Sequence, residues 1–445
     1  MILIKNIRYL VKNADEVLEN VDVLIDGNRI SKIGRDLSGY RHATVIDATD
    51  KILSPGFVNM HTHLYQNMLK GMRDDLLIKD WCEQVTFPLC GIINKYADKN
   101  DTDLSYYYGI LGAVEQIRCG ITAFGDMDVI QDSLFEAWED VGIRGCGAIQ
   151  AFNRWVPAEL SVTEEEQKQQ ILDLIKKWHG KGLQRVAIAP STPFACTPDY
   201  LRWLVKTGGE QGVNIYCHIS ETKWEIEQSL NDVGMTPLEY MESEGALCAP
   251  LLAVHAVHFT EEEMELCKKR NVTVCYNPKS NMKLGSGIAP IAEYLKKGIP
   301  CVMATDGAAS NDLLDMFEDM RTGLMMQKLR NGCPECMNAN DIFRMATENG
   351  AKFFGIDAGV IEEGKLADVI LLDTTKAHFG PVHDVIQNIV YCGKENDVET
   401  VIINGRIVLR DGVMQTIDEK VAVANAMKMG SERHKEALSA INVRD

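Results

Sequence analysis

The stretch SPGFVNMHTH, Ser54 to His63, leaves a Pro-Gly turn, runs through Phe57 and Val58 as a short apolar strand, and ends on two histidines one residue apart. Successive side chains of a strand point to opposite faces, so His61 and His63 point the same way from a strand end, as two ligands of one metal must. A lone H-x-H is more often a hydrogen-bonded or surface feature. Its weight depends on whether the rest of the chain supplies further ligands at equivalent positions.

Downstream of Pro55 short apolar strands alternate with longer helical stretches. Eight candidate strands follow one another: Phe57–Met60, Ile121–Phe124, Gly145–Ile149, Val186–Ala189, Asn214–Cys217, Leu251–Val254, Val272–Tyr276 and Cys301–Ala304. Amphipathic segments lie between them, among them Asp132–Val141, Glu164–Trp178, Pro198–Gln211, Thr260–Arg270 and Ile288–Lys297. Regular alternation of strand and helix predicts right-handed parallel units, and eight of them close a (β/α)8 TIM-type barrel. Catalytic groups then belong at the C-terminal strand ends. Strand one ends at His61 and His63, strand five at His218, strand six at His255 and strand eight at Asp306. Each alone could be a satisfied buried residue; four strands ending this way point to one metal site.

The two chain ends have a different texture. MILIKNIRYLV, VDVLIDGNRISKIG and TVIDATDKIL near the N-terminus, and GVIEEGKLADVILLD and VETVIINGRIVLRDG after Gly355, show strand alternation with turns at Asp26-Gly27-Asn28 and Asn404-Gly405. The expected organisation is a composite β-sandwich domain from 1–54 plus 356–415, a barrel over 55–355, and a C-terminal helix over 416–445.

Composition narrows the partners. In 445 residues, 46% hydrophobic and 25% charged, 46 basic residues face 64 acidic ones for a net charge of -18 spread along the chain. That balance disfavours nucleic acid or an anionic membrane as partner and favours simple solubility. Thirteen cysteines, without a signal peptide or an apolar run of transmembrane length, read as reduced thiols of a cytoplasmic protein. Cys333 and Cys336 form one C-x-x-C, but a structural zinc site needs four ligands and no second pair follows.

Imidazoles with a carboxylate suit one divalent ion, Zn²⁺ or Fe²⁺, with a position left open for water. Such an ion brings the pKa of bound water toward ~7. Asp306 can take a proton from that water, and Glu221, three residues after His218, can carry one to a substrate. His258, three past His255, reads either as a support behind the ligands or as structural.

Taken with NPKSNMKLGSGIAP (Asn277–Pro290) and ATDGAASND (Ala304–Asp312), the PGFVNMHTH stretch, the H-x-x-E of His218 and Glu221 and the AVHAVH around His255 resemble the amidohydrolase superfamily. The similarity is to its branch of adenosine-type, guanine and triazine deaminases and chlorohydrolases, and runs from about Ser54 to Gly412. It implies a single metal on His61, His63, His218 and Asp306, proton transfer by Glu221, and orientation of the nucleophile or polarisation of the reacting carbon by His255. It also implies hydrolytic deamination of an aminopurine, aminopyrimidine or aminotriazine by a homo-oligomer, dimer or tetramer. The alternatives are displacement of chloride or alkylamine from a triazine, and a non-catalytic binding protein on the same fold. An intact Glu221 favours an amine leaving group that needs protonation; intact ligands disfavour a binding protein.

Trp81 fits the adenosine-type pattern, but the glutamate expected nine residues later is Cys90, the histidine expected after strand four is Ser191, and an arginine expected near the end of strand three is replaced by Ile149 and Gln150. Gln66, Trp81, Gln150, Asn153, Ser191 and Ser310 are the expected substrate contacts, with Arg154 and Asn311 as further polar candidates.

Overall fold

The computed structural model describes residues 1–40, 42–97, 103–129, 132–155, 160, 162–248 and 250–440. Its centre is a parallel sheet in which strands Phe57–Thr62, Ile121–Asp128, Arg144–Ala151, Arg185–Pro190, Ile215–Ile219, Leu251–His255, Thr273–Tyr276 and Cys301–Met303 pair in chain order. These are barrel strands one to eight. They read as continuous apolar runs because both faces are buried. Strands eight and one meet without a regular ladder. The closure is made by the Asp306 N–H donating to the His61 carbonyl and the Thr305 N–H donating to Asn59 Oδ1, each at 3.0 Å.

The barrel interior is filled rather than hollow. Val58, Met60, Ala123, Ala148, Ala187, Leu252 and Val302 pack round the fully buried Tyr216, with Phe354 among them. A Cβ at Gly125 would stand 2.6 Å from the Met60 carbonyl oxygen and 2.9 Å from the Tyr216 ring, so only glycine admits that ring. Helices on the outer face begin where their capping residues place them. Thr163 and Glu166 form a capping box at Glu164–Trp178, and Thr260 and Glu263 form another at Glu261–Arg270.

Both chain ends enter one nine-stranded mixed sheet. Its order is Val413–Met414, Arg406–Arg410, Val398–Ile403, Val369–Asp373, Lys51–Pro55, Ile2–Asn13, Glu16–Asp26 and Arg29–Gly34, with Thr44–Asp47 also paired to Ile2–Asn13. The expected composite β unit is thus a single hydrogen-bonded sheet around its own core, to which Ile4, Ile25, Leu53, Val369 and Ile402 contribute. The helix Glu419–Ala440 packs on Asp103–Arg118; residues 441–445 of the expected C-terminal helix lie outside the described residues. Among the described residues no helix is long and apolar enough to cross a membrane.

Candidate active site

His61 and His63 leave strand one on the same face, His218 comes from strand five, His255 ends strand six, and Asp306 follows strand eight. The His61 ring centroid is 4.7 Å from that of His63 and 5.1 Å from that of His218. Nε2 of His63 lies 3.4 Å from Nε2 of His218, while Asp306 Oδ1 lies 3.4 Å from His61 Nε2 and 3.5 Å from His63 Nε2. Four ligands at ~2.05 Å from a tetrahedral ion stand ~3.3 Å apart; here the candidate atoms close up in two overlapping sets, His61 with His63 and Asp306, and His61 with His218 and His255, the atoms of each set lying within 4.8 Å of one another.

Hydrogen bonds settle which ring nitrogens face inward. His63 Nδ1 donates to the Met127 carbonyl, and His218 Nδ1 donates to the Ser191 carbonyl at 2.6 Å, leaving a lone pair on each Nε2. Two buried lone pairs facing each other at 3.4 Å repel unless a cation lies between them. His61 is fully buried and neither of its ring nitrogens has a hydrogen-bond partner. The donor set therefore fits a divalent cation. Burial lowers the pKa of all three: His61 downward, His218 well down, and His63 to about 3, so each ring is neutral at neutral pH. Burial pushes the Asp306 carboxyl up, but the imidazoles of His61, His255 and His63 outweigh it and hold the group well below the usual carboxylate range.

Glu221 and His255 sit beside this cluster. The buried Glu221 accepts from the Ser286 hydroxyl on Oε1 (2.8 Å), and its Oε2 is 3.5 Å from His255 Nε2. Burial raises its pKa, against the opposing pull of His255. Asn281 and Asn277 turn their amide N–H groups on His255 Nδ1 at 3.0 and 3.3 Å, which leaves the proton on Nε2, directed at Glu221 and 3.8 Å from Asp306 Oδ2. His255 is thus built as a donor, whereas the other three histidines present lone pairs. His258 donates to the carbonyl of Ser286 (2.8 Å), so it supports the loop that holds Glu221. Ser220 (φ +53°), His255 (φ +73°), Ala256 (φ +47°) and Asp306 (φ +64°) all occupy left-handed backbone, and strain of this kind collects where the surrounding structure enforces a functional geometry.

A family model described as the amidohydrolase family matches residues 52–408. The chain belongs to the amidohydrolase family. This amidohydrolase is 37% identical over 412 residues, 92% of its own length and 94% of the relative's, to the 5′-deoxyadenosine deaminase of Methanothermobacter thermautotrophicus. It is also 37% identical, over 92% of itself and 94% of the relative, to the 5-methylthioadenosine/S-adenosylhomocysteine deaminase of Thermococcus sibiricus. Among solved structures, an adenosine deaminase from Xanthomonas campestris with bound zinc shares 26% identity at a TM-score of 0.89, with 98% of each chain covered. The zinc complex of atrazine chlorohydrolase from Arthrobacter aurescens shares 25% at 0.89, over 97% of this chain and all of that one.

In this amidohydrolase one cavity opens from the cluster. Gln66, Trp81, Gln150, Ser191, Ser310 and Arg154 line it, as do Cys90, Glu221, His255 and Asp306. Gln150 donates to the Ser191 hydroxyl (3.0 Å), and Gln66 accepts the Ala309 N–H (3.1 Å), which ties strand one's loop to the loop bearing Asp306. Asn153 does not line the cavity: its amide donates to Glu164 and Thr197, each at 2.9 Å, and fastens the loop after strand three to its neighbours. Asn311 does not line it either; its amide donates to the buried Asp319 at 2.9 Å. The sequence reading omitted the aromatic part of the wall, Phe87, Phe152, Trp155, Phe194 and Trp224. It also omitted Glu225, a buried carboxylate that accepts the backbone N–H groups of Ser220 (2.9 Å) and Glu221 (2.7 Å).

Proposed function

We propose that this amidohydrolase deaminates an adenosine-type aminopurine with one divalent metal, zinc before iron, held by His61, His63, His218 and Asp306. In coarser terms it is a hydrolytic deaminase of an amino-substituted nitrogen heterocycle, a hydrolase of C–N bonds. The observation that carries the finer reading is the placing of two proton-handling groups, Glu221 and His255, beside a lone-pair cluster that fits a metal. Deaminases at 37% identity over nine-tenths of the chain support it, as do relatives solved with zinc.

When bound, the ion lowers the pKa of a water toward ~7 and so makes a nucleophile available at neutral pH. The chain's own residues do the rest. Asp306 accepts the proton that the nucleophile gives up. Glu221, whose burial favours its protonated form, delivers a proton to the ring nitrogen next to the amine-bearing carbon. The Nε2–H of His255 donates into the same space and orients the attacking oxygen. Glu221, now a carboxylate, takes the hydroxyl proton of the adduct and passes it to the amine, and the proton held by Asp306 restores Glu221, so that ring-C–NH₂ plus water becomes ring-C=O plus ammonia. Twelve described cysteines are unpaired, which supports a reducing cytoplasm as its compartment.

Ammonia release from a panel of aminopurines, aminopyrimidines and aminotriazines, with metal measured on the same sample, tests this function. No turnover of any member at stoichiometric metal would overturn it. Chloride release from a matched chlorotriazine, faster than ammonia release from its amino analogue, would favour the halide reading instead.

A further inference from the structure

The cavity wall beyond the reacting groups is aromatic. Phe87 comes from the helix Phe87–Ala97, Trp155 from the loop after strand three, Phe194 from the loop after strand four, and Trp224 from the first turn of Lys223–Val233, three residues past Glu221. Their rings form one cluster. Trp155 lies 5.7 Å from Phe87, 5.2 Å from Phe194 and 5.3 Å from Trp224, and Phe194 lies 5.5 Å from Trp224, centroid to centroid. Trp155 holds φ +51°, a conformation that bulky side chains avoid, so the packing enforces its position against a local preference.

The charge of the wall is as telling as its shape. Among the described residues lining the cavity, Arg154 is the one lysine or arginine, and its guanidinium is 3.3 Å from the Asp232 carboxylate. The carboxylates of the lining are Glu221, Asp306 and Glu225, and Glu225 is occupied by two backbone N–H groups. A phosphate or carboxylate brought here would face the carboxylates of Glu221 and Asp306 and one cation, Arg154, which it would have to draw from Asp232. An alkyl, thioether or aryl group would exchange water for aromatic faces, which favour both apolar area and sulfur.

We propose that Phe87, Trp155, Phe194 and Trp224 form the subsite for the non-reacting part of the substrate, and that it selects an uncharged, weakly polar substituent over a phosphate or an amino-acid tail. This rests on the deaminase reading and adds to it the class of tail.

The test is kcat/KM for ammonia release across 5′-deoxyadenosine, 5′-methylthioadenosine, adenosine, adenosine 5′-monophosphate and S-adenosylhomocysteine. The two neutral apolar-tailed nucleosides are expected to exceed the two charged-tail compounds by at least ~100-fold, the upper part of the range that one pocket contact discriminates. In Trp155→Ala the ratio of 5′-methylthioadenosine to adenosine should fall about 10-fold; Phe194→Leu serves the same comparison should the first variant not fold. Charged tails within tenfold of the neutral ones, or a ratio unmoved in the folded variants, would overturn the subsite while leaving deamination intact. Failure of every nucleoside to release ammonia would instead remove the deaminase reading. In that case quenching of tryptophan fluorescence by the same five compounds decides the subsite. Tighter binding of neutral tails supports it, and equal binding overturns it.

Discussion

Replacing Glu225 by glutamine isolates how Glu221 is positioned. Ser220 stands at φ +53° between His218 and Glu221, and its carbonyl accepts from the N–H groups of Val257 and His258 at 3.1 Å each. On the other side both carboxylate oxygens of Glu225 accept, one from the Ser220 N–H and one from the Glu221 N–H. The bend that delivers Glu221 is therefore gripped from two sides. Glutamine keeps the shape but has one accepting oxygen, so one buried N–H faces an NH₂ group, a cost of about 1–3 kcal/mol. The strained residue is then no longer over-determined and the bend relaxes. A misplacement of about 1 Å in a reacting group costs on the order of 10²-fold in rate. Glu225→Gln should accordingly lower unfolding free energy by about 1–3 kcal/mol in denaturant titration, and lower kcat by on the order of 10²-fold with KM little changed. Metal content should remain at the wild-type level, because His218 is anchored separately through the Ser191 carbonyl. A variant with the expected loss of stability but kcat within about twofold of wild type would show that the carboxylate supports the loop without positioning Glu221, against the scale of a misplaced group.

Glu221→Gln should keep metal and fold, by elemental analysis and circular dichroism, and lose about 10²–10⁴ in kcat; near-full activity would remove Glu221 from the mechanism. His61→Ala should instead lose the metal itself, and a variant still binding one equivalent would refute the ligand assignment. Asp315 caps the helix Met316–Asn331 through the Phe317 N–H (2.9 Å), and burial raises its pKa from 3.8 to about 6. The folded state therefore binds that proton more tightly than the unfolded chain does, and stability falls as pH rises between those two values. Asp315→Asn lacks this dependence, so its stability relative to wild type should improve by about 1.4 kcal/mol between pH 5 and pH 7.5; a constant difference would refute it. Among the described residues no lining carboxylate is free to take a ribose diol, and Cys90 and Ser191 stand on the wall, so 2′-deoxyadenosine should be used within about tenfold of adenosine. A discrimination above about 10³ would mean that a hydroxyl partner does exist.

The barrel was readable from sequence because parallel strands buried on both faces are short continuous apolar runs, and because their ends carry the metal-binding types: His61 and His63, His218, His255, Asp306. Glu221 was readable for the same reason, being tied by spacing to His218. The residues that orient these groups were not. Ser286 and Asn281 act through contacts between segments far apart in the chain, and Glu225 through a fold-back onto the Ser220 and Glu221 N–H groups just before it; no periodicity announces either. The aromatic quartet is drawn from the first turns of two helices and from two loops that follow strands, far apart in the chain. Asn153 and Asn311 show the converse: a polar residue beside a strand end has the composition of a substrate contact, yet Asn153 spends its amide on Glu164 and Thr197 and Asn311 on Asp319.

The strand that runs straight into the first barrel strand, Lys51–Pro55, lies between two partners: Ile2–Asn13, made before it, and Val369–Asp373, made long after. Pro55 pairs with Val369 and Ser54 with Ile370, immediately upstream of the residues that carry His61 and His63. During synthesis, then, the platform from which the first two histidines project stays one-sided until Val369–Asp373 has left the ribosome. The order of manufacture makes an early strand one of the last to be secured, and a chain cut short before Val369 would carry every candidate metal ligand without the scaffold that aims two of them.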